Sequence, residues 1–383
     1  MTTPLPRDEF AVTQRYVYLN HAAVGCLPRS SVAAIEAFLA AHAQAGVLGT
    51  WPYDERMIEY REAIGRFIGA SGAEIATTTN TSDAANLVAI GIDWRAGDRV
   101  LLCDNEFPSN AIPWVALRRR GVEVALLPAQ SQRLTPDVLA RAIDRKTRVV
   151  AVSWVSYADG YRHDLAGLAE VAHAAGAWLC VDVIQGLGAF PLDVRAAGID
   201  AAYGGAGKWM LGLHGIGFLY LGPALMERLE LATPGWRSVA DMWDFHNYEQ
   251  AYAPEAMRFE GGTPNIVGAI SLDRSIALLD RAVPSRIAAH VLALTDRLHE
   301  GLRRLGARIA APRGDGVSSG IVTFSLPGVD SVALGRALGE HGVVTTFRAN
   351  GIRVSPHGYN TAEEIDRLLE LVPQCAVPVA ANV

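Results

Sequence analysis

Two residues of this chain have the types and the setting for carbonyl–amine chemistry. Asp182 ends the apolar run AWLCVDV, and Lys208 follows in YGGAGKWMLG after a segment of helix length. A lysine amine among glycines can condense with an aldehyde. An acid at a strand end can hold a proton on a ring nitrogen. The pair therefore suits pyridoxal 5'-phosphate, with Lys208 forming a Schiff base and Asp182 keeping the pyridine protonated, a better electron sink. Gly204, Gly205 and Gly207 permit close backbone approach. A desolvated site would disfavour the ammonium form of Lys208 and assist exchange with a substrate amine. Alone, the lysine would be a solvated side chain and the acid a strand cap. Their pairing is what points to catalysis.

Other groups suit the remainder of such a cofactor. In TTTNTSDAANL, Thr81 and Ser82 stand just before a helix, where exposed amides and the positive helix end favour a phosphate; the plain alternative is an ordinary helix cap. No GxxxxGK[ST] loop and no GxGxxG after a strand is present. Phe107, in CDNEFPSNAIPW, is placed to stack on a planar ring, or to pack in the core. Asn110 is a candidate for substrate contact or for closing a turn. Ser156 and Tyr157 follow the strand-like RVVAVSWV and are candidates for the cofactor oxygens. Gln185 follows Asp182 closely enough to reach a phenolic oxygen. Thr263, in RFEGGTPNIVG, offers a hydroxyl in a glycine turn. Near the end, Arg348 and Arg353 in TTFRANGIRVSPHGYNT are candidates for a bidentate grip on a substrate carboxylate, or for internal ion pairs.

These residues need elements to hold them. The 383 residues are 50% hydrophobic and 19% charged, which supports large cores rather than disorder. The net charge of -6 gives no footing for a nucleic-acid surface. No apolar run argues a membrane span or a signal peptide, so a cytoplasmic location is expected. The 4 cysteines are far apart and show no metal-ligand spacing. Helices are expected near 31–45 and 54–69. From residue 83 onward, helix and strand alternate: RVLLCD, VEVALLP, RVVAVSWVS and AWLCVDV read as buried strands, GIGFLYL as a hairpin-like or edge strand, and TPDVLARAID as a helix capped by Thr135. This alternation predicts an α/β fold with a largely parallel sheet, whose carboxyl ends gather Phe107, Ser156 and Asp182. After residue 265, long amphipathic helices and short strands predict a smaller α+β unit.

The ordered segments YLNHAAVG, TNTSDAANL, EFPSN, VDVIQG, GKW, FEGGTPN and GIRVSPHGYNT resemble class V aminotransferases, of fold type I among pyridoxal-phosphate enzymes, over nearly the whole chain. The spelling around Tyr157 looks closer to the isopenicillin-N-epimerase-like branch than to the desulfurase-like one. The resemblance implies a large domain at 21–264 with a mainly parallel seven-stranded sheet. It implies a small domain at 265–383, and an N-terminal segment at 1–20 that lines the active site through Asn20. It further implies that Lys208 is the cofactor lysine, Asp182 the pyridinium partner, Phe107 the stacking residue and Gln185 a neighbour of the phenolic oxygen. Thr81 and Ser82 would hold phosphate, Arg353 the substrate carboxylate, and Thr263 would reach across a homodimer whose active sites lie at the subunit interface.

Two departures bear on the reaction. Many relatives have SGHKW where this chain has GAGKW, so Gly205 and Gly207 lack a hydroxyl and an imidazole. Desulfurases carry a cysteine on a loop before the terminal-domain arginine, and HGVVTTFRANGIR has none. Aminotransfer to or from a small amino acid or amine needs no such thiol and is the first expectation. A carbon–sulfur lyase acting on a cysteine-derived substrate comes second and an epimerase third; a non-catalytic pyridoxal-phosphate-binding regulatory protein is the alternative outside enzymology.

Overall fold

The computed structural model describes residues 2–129, 133–348 and 350–378. Its centre is a seven-stranded sheet. In spatial order the strands are Ile75–Thr78, Gly217–Leu221, Ala201–Gly205, Trp178–Asp182, Thr147–Ser153, Arg99–Cys103 and Glu123–Leu127. Gly217–Leu221 runs antiparallel to both neighbours, and the other adjacent pairs are parallel. The mainly parallel sheet is therefore as expected. One expectation changes: Gly217–Leu221 does form a hairpin-like pair with Ala201–Gly205, but it is interior and buried along its whole length rather than an edge. Its apolar sequence suits cover on both faces. The edge beyond it is Ile75–Thr78, whose polar TT ending gave little strand signal.

Side chains alternate between two cores, one per face of the sheet. Leu101, Val150, Val152, Leu179 and Val181 face one cluster. Val100, Leu102, Val149, Ala151 and Cys180 face the other. That is the period-two consequence of a strand buried on both sides. Burying each such Val or Leu contributes about 1.5–3 kcal/mol, so the sheet is a stiff platform. Register brings Ser153, Asp182 and Tyr203 level across three strands, at the carboxyl ends of the parallel set.

The smaller unit is a four-stranded antiparallel sheet in the order Thr346–Arg348, Gly351–Val354, Val322–Ser325 and Arg308–Ile309. The helices Pro284–Arg304, Ser331–Glu340 and Ala362–Gln374 share its core, which includes Leu298, Phe324, Leu338, Ile352 and Leu368. The N-terminal segment joins this unit: Val17–Tyr18 pairs in parallel with Val343–Val344, and Asn20 bridges Ser355. Helix Ile266–Arg281, just after the expected boundary, packs on helices Arg29–Ala45 and Met57–Phe67, with Ala269 and Ile270 against Phe38, Met57 and Tyr60. Among the described residues no helix is long and apolar enough to cross a membrane.

Candidate active site

Asp182 is the last residue of its strand and only 2% exposed. Its Oδ1 accepts the Ile184 amide at 2.9 Å. Lys208 stands three residues beyond the adjacent strand, in a tight turn where its amide donates to the Ala206 carbonyl at 2.9 Å. Its Nζ lies 5.3 Å from the centre of the Phe107 ring. Burial pushes Asp182 up to about 7 and Lys208 down to about 8. Their mutual attraction opposes both shifts, while positive charge from Arg353 and Arg348 lowers Lys208 further. The result is an amine of reduced basicity beside an aromatic ring, with a buried acid close by.

Phe107 ends the loop after Arg99–Cys103, begins the helix Pro108–Ala116, and meets Tyr157 edge-on at 5.1 Å. Ser156 is buried, and its hydroxyl has no partner among the described residues. Thr81 opens the helix Thr81–Gly91; Asn80 caps it by accepting the Asp83 amide at 3.0 Å. The Thr81 hydroxyl is 3.6 Å from where a Cβ on Gly205 would stand. Ser82 is half-buried one residue on.

The small unit supplies the opposite wall. Arg353 is 2% exposed, donates from Nη1 to the Tyr157 carbonyl at 2.8 Å, and has a buried Nε without a partner. Burial, with Arg348 nearby, lowers it to about 10. Thr346 pairs with Arg353 and Arg348 with Gly351, so Thr346, Arg348 and Arg353 share one face of the hairpin. The Thr346 hydroxyl donates to Asn20 Oδ1 at 2.7 Å, which adds Asn20 to this wall. Arg348 is exposed and bonds only its neighbour's carbonyl among the described residues.

Other expected residues sit deeper or farther away. Gln185 is held at both ends, donating to the Ala22 carbonyl at 3.0 Å and accepting the Trp209 indole at 2.9 Å. Asn110 is fully enclosed, with its amide nitrogen on Glu106 at 2.9 Å and its oxygen accepting the Tyr203 hydroxyl at 2.6 Å. Thr263 is exposed and lines a cleft of about 340 Å³ with Thr78, Asp83, Glu260 and Asn265.

Two sets of residues escaped the sequence reading. Glu106 accepts the Ser153 amide at 2.8 Å, the Ser153 hydroxyl and Asn110; burial raises its carboxyl, and its charge raises Asp182. Its signal was an acid after the strand RVLLCD, the pattern that singled out Asp182. The second set is His21, His357 and Tyr359. His21 donates to the Ser355 carbonyl at 2.9 Å and accepts the Tyr359 hydroxyl at 2.7 Å. His357 donates to the Trp209 carbonyl at 2.9 Å, bracing the residue after Lys208. Burial lowers both imidazoles, which keeps them neutral supports.

An acid and a lysine at neighbouring strand ends, walled by a buried arginine, make up the candidate site. The sequence profile of the class-V aminotransferases matches residues 17–368. The chain belongs to that family. Within it, a probable cysteine desulfurase of Methanothermobacter thermautotrophicus is 32% identical, covering 98% of each chain. The isopenicillin N epimerase of Streptomyces clavuligerus is 30% identical, covering 95% of this chain and 96% of the other. The apo cysteine desulfurase of Thermococcus onnurineus superposes with a TM-score of 0.87 at 27% identity, over 97% of this chain and 98% of that one.

This class V family member is a pyridoxal-phosphate enzyme of fold type I, related to the cysteine desulfurase and epimerase branch. The donor set fits that cofactor. It offers a buried acid, an amine of lowered basicity, an unpartnered Ser156 Oγ, and the Thr81 hydroxyl beside Gly205 at a helix start. Of the free cysteines Cys26 is half-buried and Cys103, Cys180 and Cys375 are buried, and burial raises the thiols of Cys26 and Cys103.

Proposed function

We propose that this family member is a lyase that breaks the carbon–sulfur bond of a cysteine-derived amino acid. The observation that carries the reading is a combination. Relatives named as cysteine desulfurases match the chain nearly end to end, yet the segment before Arg353 has no cysteine to receive sulfur. Sulfur then leaves as a small thiol or sulfide, and the carbon skeleton leaves as pyruvate and ammonium after water addition. Aminotransfer, the first expectation from sequence, gives way to this reading because relatives named as cysteine desulfurases predominate.

The residues divide the work. When bound, the cofactor supplies an electron sink for the pair released at the substrate's α carbon. Lys208 would anchor the cofactor, and its Nζ would take the α proton of the substrate and deliver a proton to the departing sulfur. A neutral amine is required for the first transfer, and the lowered basicity of Lys208 provides it near neutral pH. Asp182 would hold a proton at the ring nitrogen, its negative charge favouring the protonated ring. Phe107 lies against the ring. Thr81 and Ser82 hold the phosphate at the helix start. Gln185, which fixes Trp209, would neighbour the phenolic oxygen, and Ser156 would offer its free hydroxyl to a cofactor oxygen. Arg353 grips the substrate carboxylate with its free Nε and remaining guanidinium donors, and Asn20 closes that wall. Glu106, Asn110 and Tyr203 fix the floor from below. Thr263 serves the active site of a second copy in a homodimer, which accounts for its exposed place in one chain.

The test is a panel of L-cysteine, L-cystine and S-alkyl cysteines, with and without 2-oxo acids, scored for pyruvate, thiol or sulfide, and chirality. Pyruvate and thiol released without an acceptor is the expected result. Turnover that requires a 2-oxo acid would restore aminotransfer, and inversion without ketone would assign the epimerase reaction.

A further inference from the structure

Lys208 is approached through small residues, and at Gly207 a group from elsewhere fills the space a side chain would take. A Cβ on Gly207 would stand 2.6 Å from Nδ1 and 2.8 Å from Cε1 of His214. Atoms do not pack that closely, so the imidazole occupies the side-chain position of the residue immediately before Lys208. A Cβ on Gly205, two residues earlier, would come 3.6 Å from the Thr81 hydroxyl.

The turn that carries His214 is fixed. Gly215 has φ of +83°, a backbone state that glycine adopts freely. Its carbonyl accepts Asn265 Nδ2 at 2.8 Å, and the Asn265 oxygen accepts the Gly268 amide at 3.0 Å to cap the helix Ile266–Arg281. The His214 ring is exposed, and among the described residues it makes no hydrogen bond or ion pair. An imidazole with free ring nitrogens thus stands at the side-chain position of the residue before the lysine, and a threonine hydroxyl at a helix start stands beside Gly205, two residues earlier. Those are donors for a phosphate oxyanion.

We propose that His214 binds the phosphate of the cofactor, supplying from the following turn the imidazole that Gly207 cannot. The proposal rests on the cofactor being seated at Lys208. It also gives a reason for glycine at 207: any side chain there meets the His214 ring.

The experiment measures dissociation constants of pyridoxal 5'-phosphate and of pyridoxal, which lacks the phosphate, for the full-length protein stripped of cofactor. Wild type is compared with His214→Ala and with the double variant His214→Ala, Gly207→His. His214→Ala should bind pyridoxal 5'-phosphate at least about tenfold more weakly and bind pyridoxal as wild type does, because only the contact to the charged group is lost. Gly207→His in the alanine background should restore most of the affinity, since the ring that blocked it is gone. Unchanged affinity for the phosphorylated aldehyde, or an equal loss for both aldehydes, would overturn the assignment. Wild-type protein that binds neither aldehyde would overturn the cofactor reading and His214 with it. Wild type that binds while His214→Ala binds equally well removes His214 alone.

Discussion

The floor of the site and its rim are built on opposite terms. On the floor, Glu106, Asn110, Ser153 and Tyr203 satisfy one another inside the large unit, and Asp182 sits among them at a strand end. The rim comes from the hairpin of the small unit, where Arg353 keeps a buried Nε without a partner and Arg348 is exposed. A buried polar network with every member bonded is rigid, while an unpaired buried donor costs free energy until something binds it. The floor is therefore suited to a permanent occupant and the rim to one that comes and goes. That is the division expected of cofactor and substrate.

The sharpest break is at Lys208. Replacement by alanine should lower turnover by roughly 10²–10⁴-fold, and mass analysis after borohydride reduction should find no cofactor attached. Thermal melting should change little, since Lys208 makes no side-chain hydrogen bond or ion pair among the described residues. Attachment persisting at another lysine would reassign the floor.

Arg353→Ala comes next. Removing a buried charged donor of the substrate should cost about 3 kcal/mol, or on the order of 10²-fold in kcat/KM for carboxylate substrates. Affinity for pyridoxal 5'-phosphate should stay near wild type. Equal losses in both would mean that the arginine braces the hairpin against Tyr157 rather than reading substrate.

The pH dependence separates the lysine from the rim by charge. Burial and the two arginines bring Lys208 below its ordinary value to about 8, so the neutral amine dominates above that pH and falls away below it. Cofactor capture by the stripped enzyme, followed by visible absorbance, should slow about tenfold per unit as pH falls below 8 and level off above it. Arg353→Ala removes one of the charges that depress Lys208, so the inflection should move upward. An inflection unmoved by that change would break the proposed coupling.

The smallest effect belongs to Arg348. An exposed arginine contributes about 0–1 kcal/mol, so Arg348→Ala should change kcat/KM only a few-fold, and more for acidic than for matched neutral substrates. A loss shared equally by the two classes would remove Arg348 from specificity.

Much of the large unit follows from local pattern. Runs such as RVVAVS and AWLCVDV are short, apolar and β-branched, and they alternate with helices, so a mainly parallel sheet with ligand groups at its carboxyl ends follows from side-chain period and burial. Asp182 and Lys208 could be paired because both lie beside such strand ends. Ile75–Thr78 was missed, since four residues ending in threonines carry little hydrophobic signal and depend on Gly217–Leu221 for pairing.

By itself, then, the sequence determined the alternating scaffold, the acid and lysine at its strand ends, and the absence of a thiol before Arg353, all matters of residue type and local spacing. Tertiary structure decided which distant groups share the same few ångströms. It set Asn110 on Glu106 rather than at an open site, turned Arg348 and Arg353 to one face through hairpin register, and placed the His214 ring over Gly207. Such encounters depend on how sheet, turn and hairpin close on one another, and the local periods of a chain do not encode that closure.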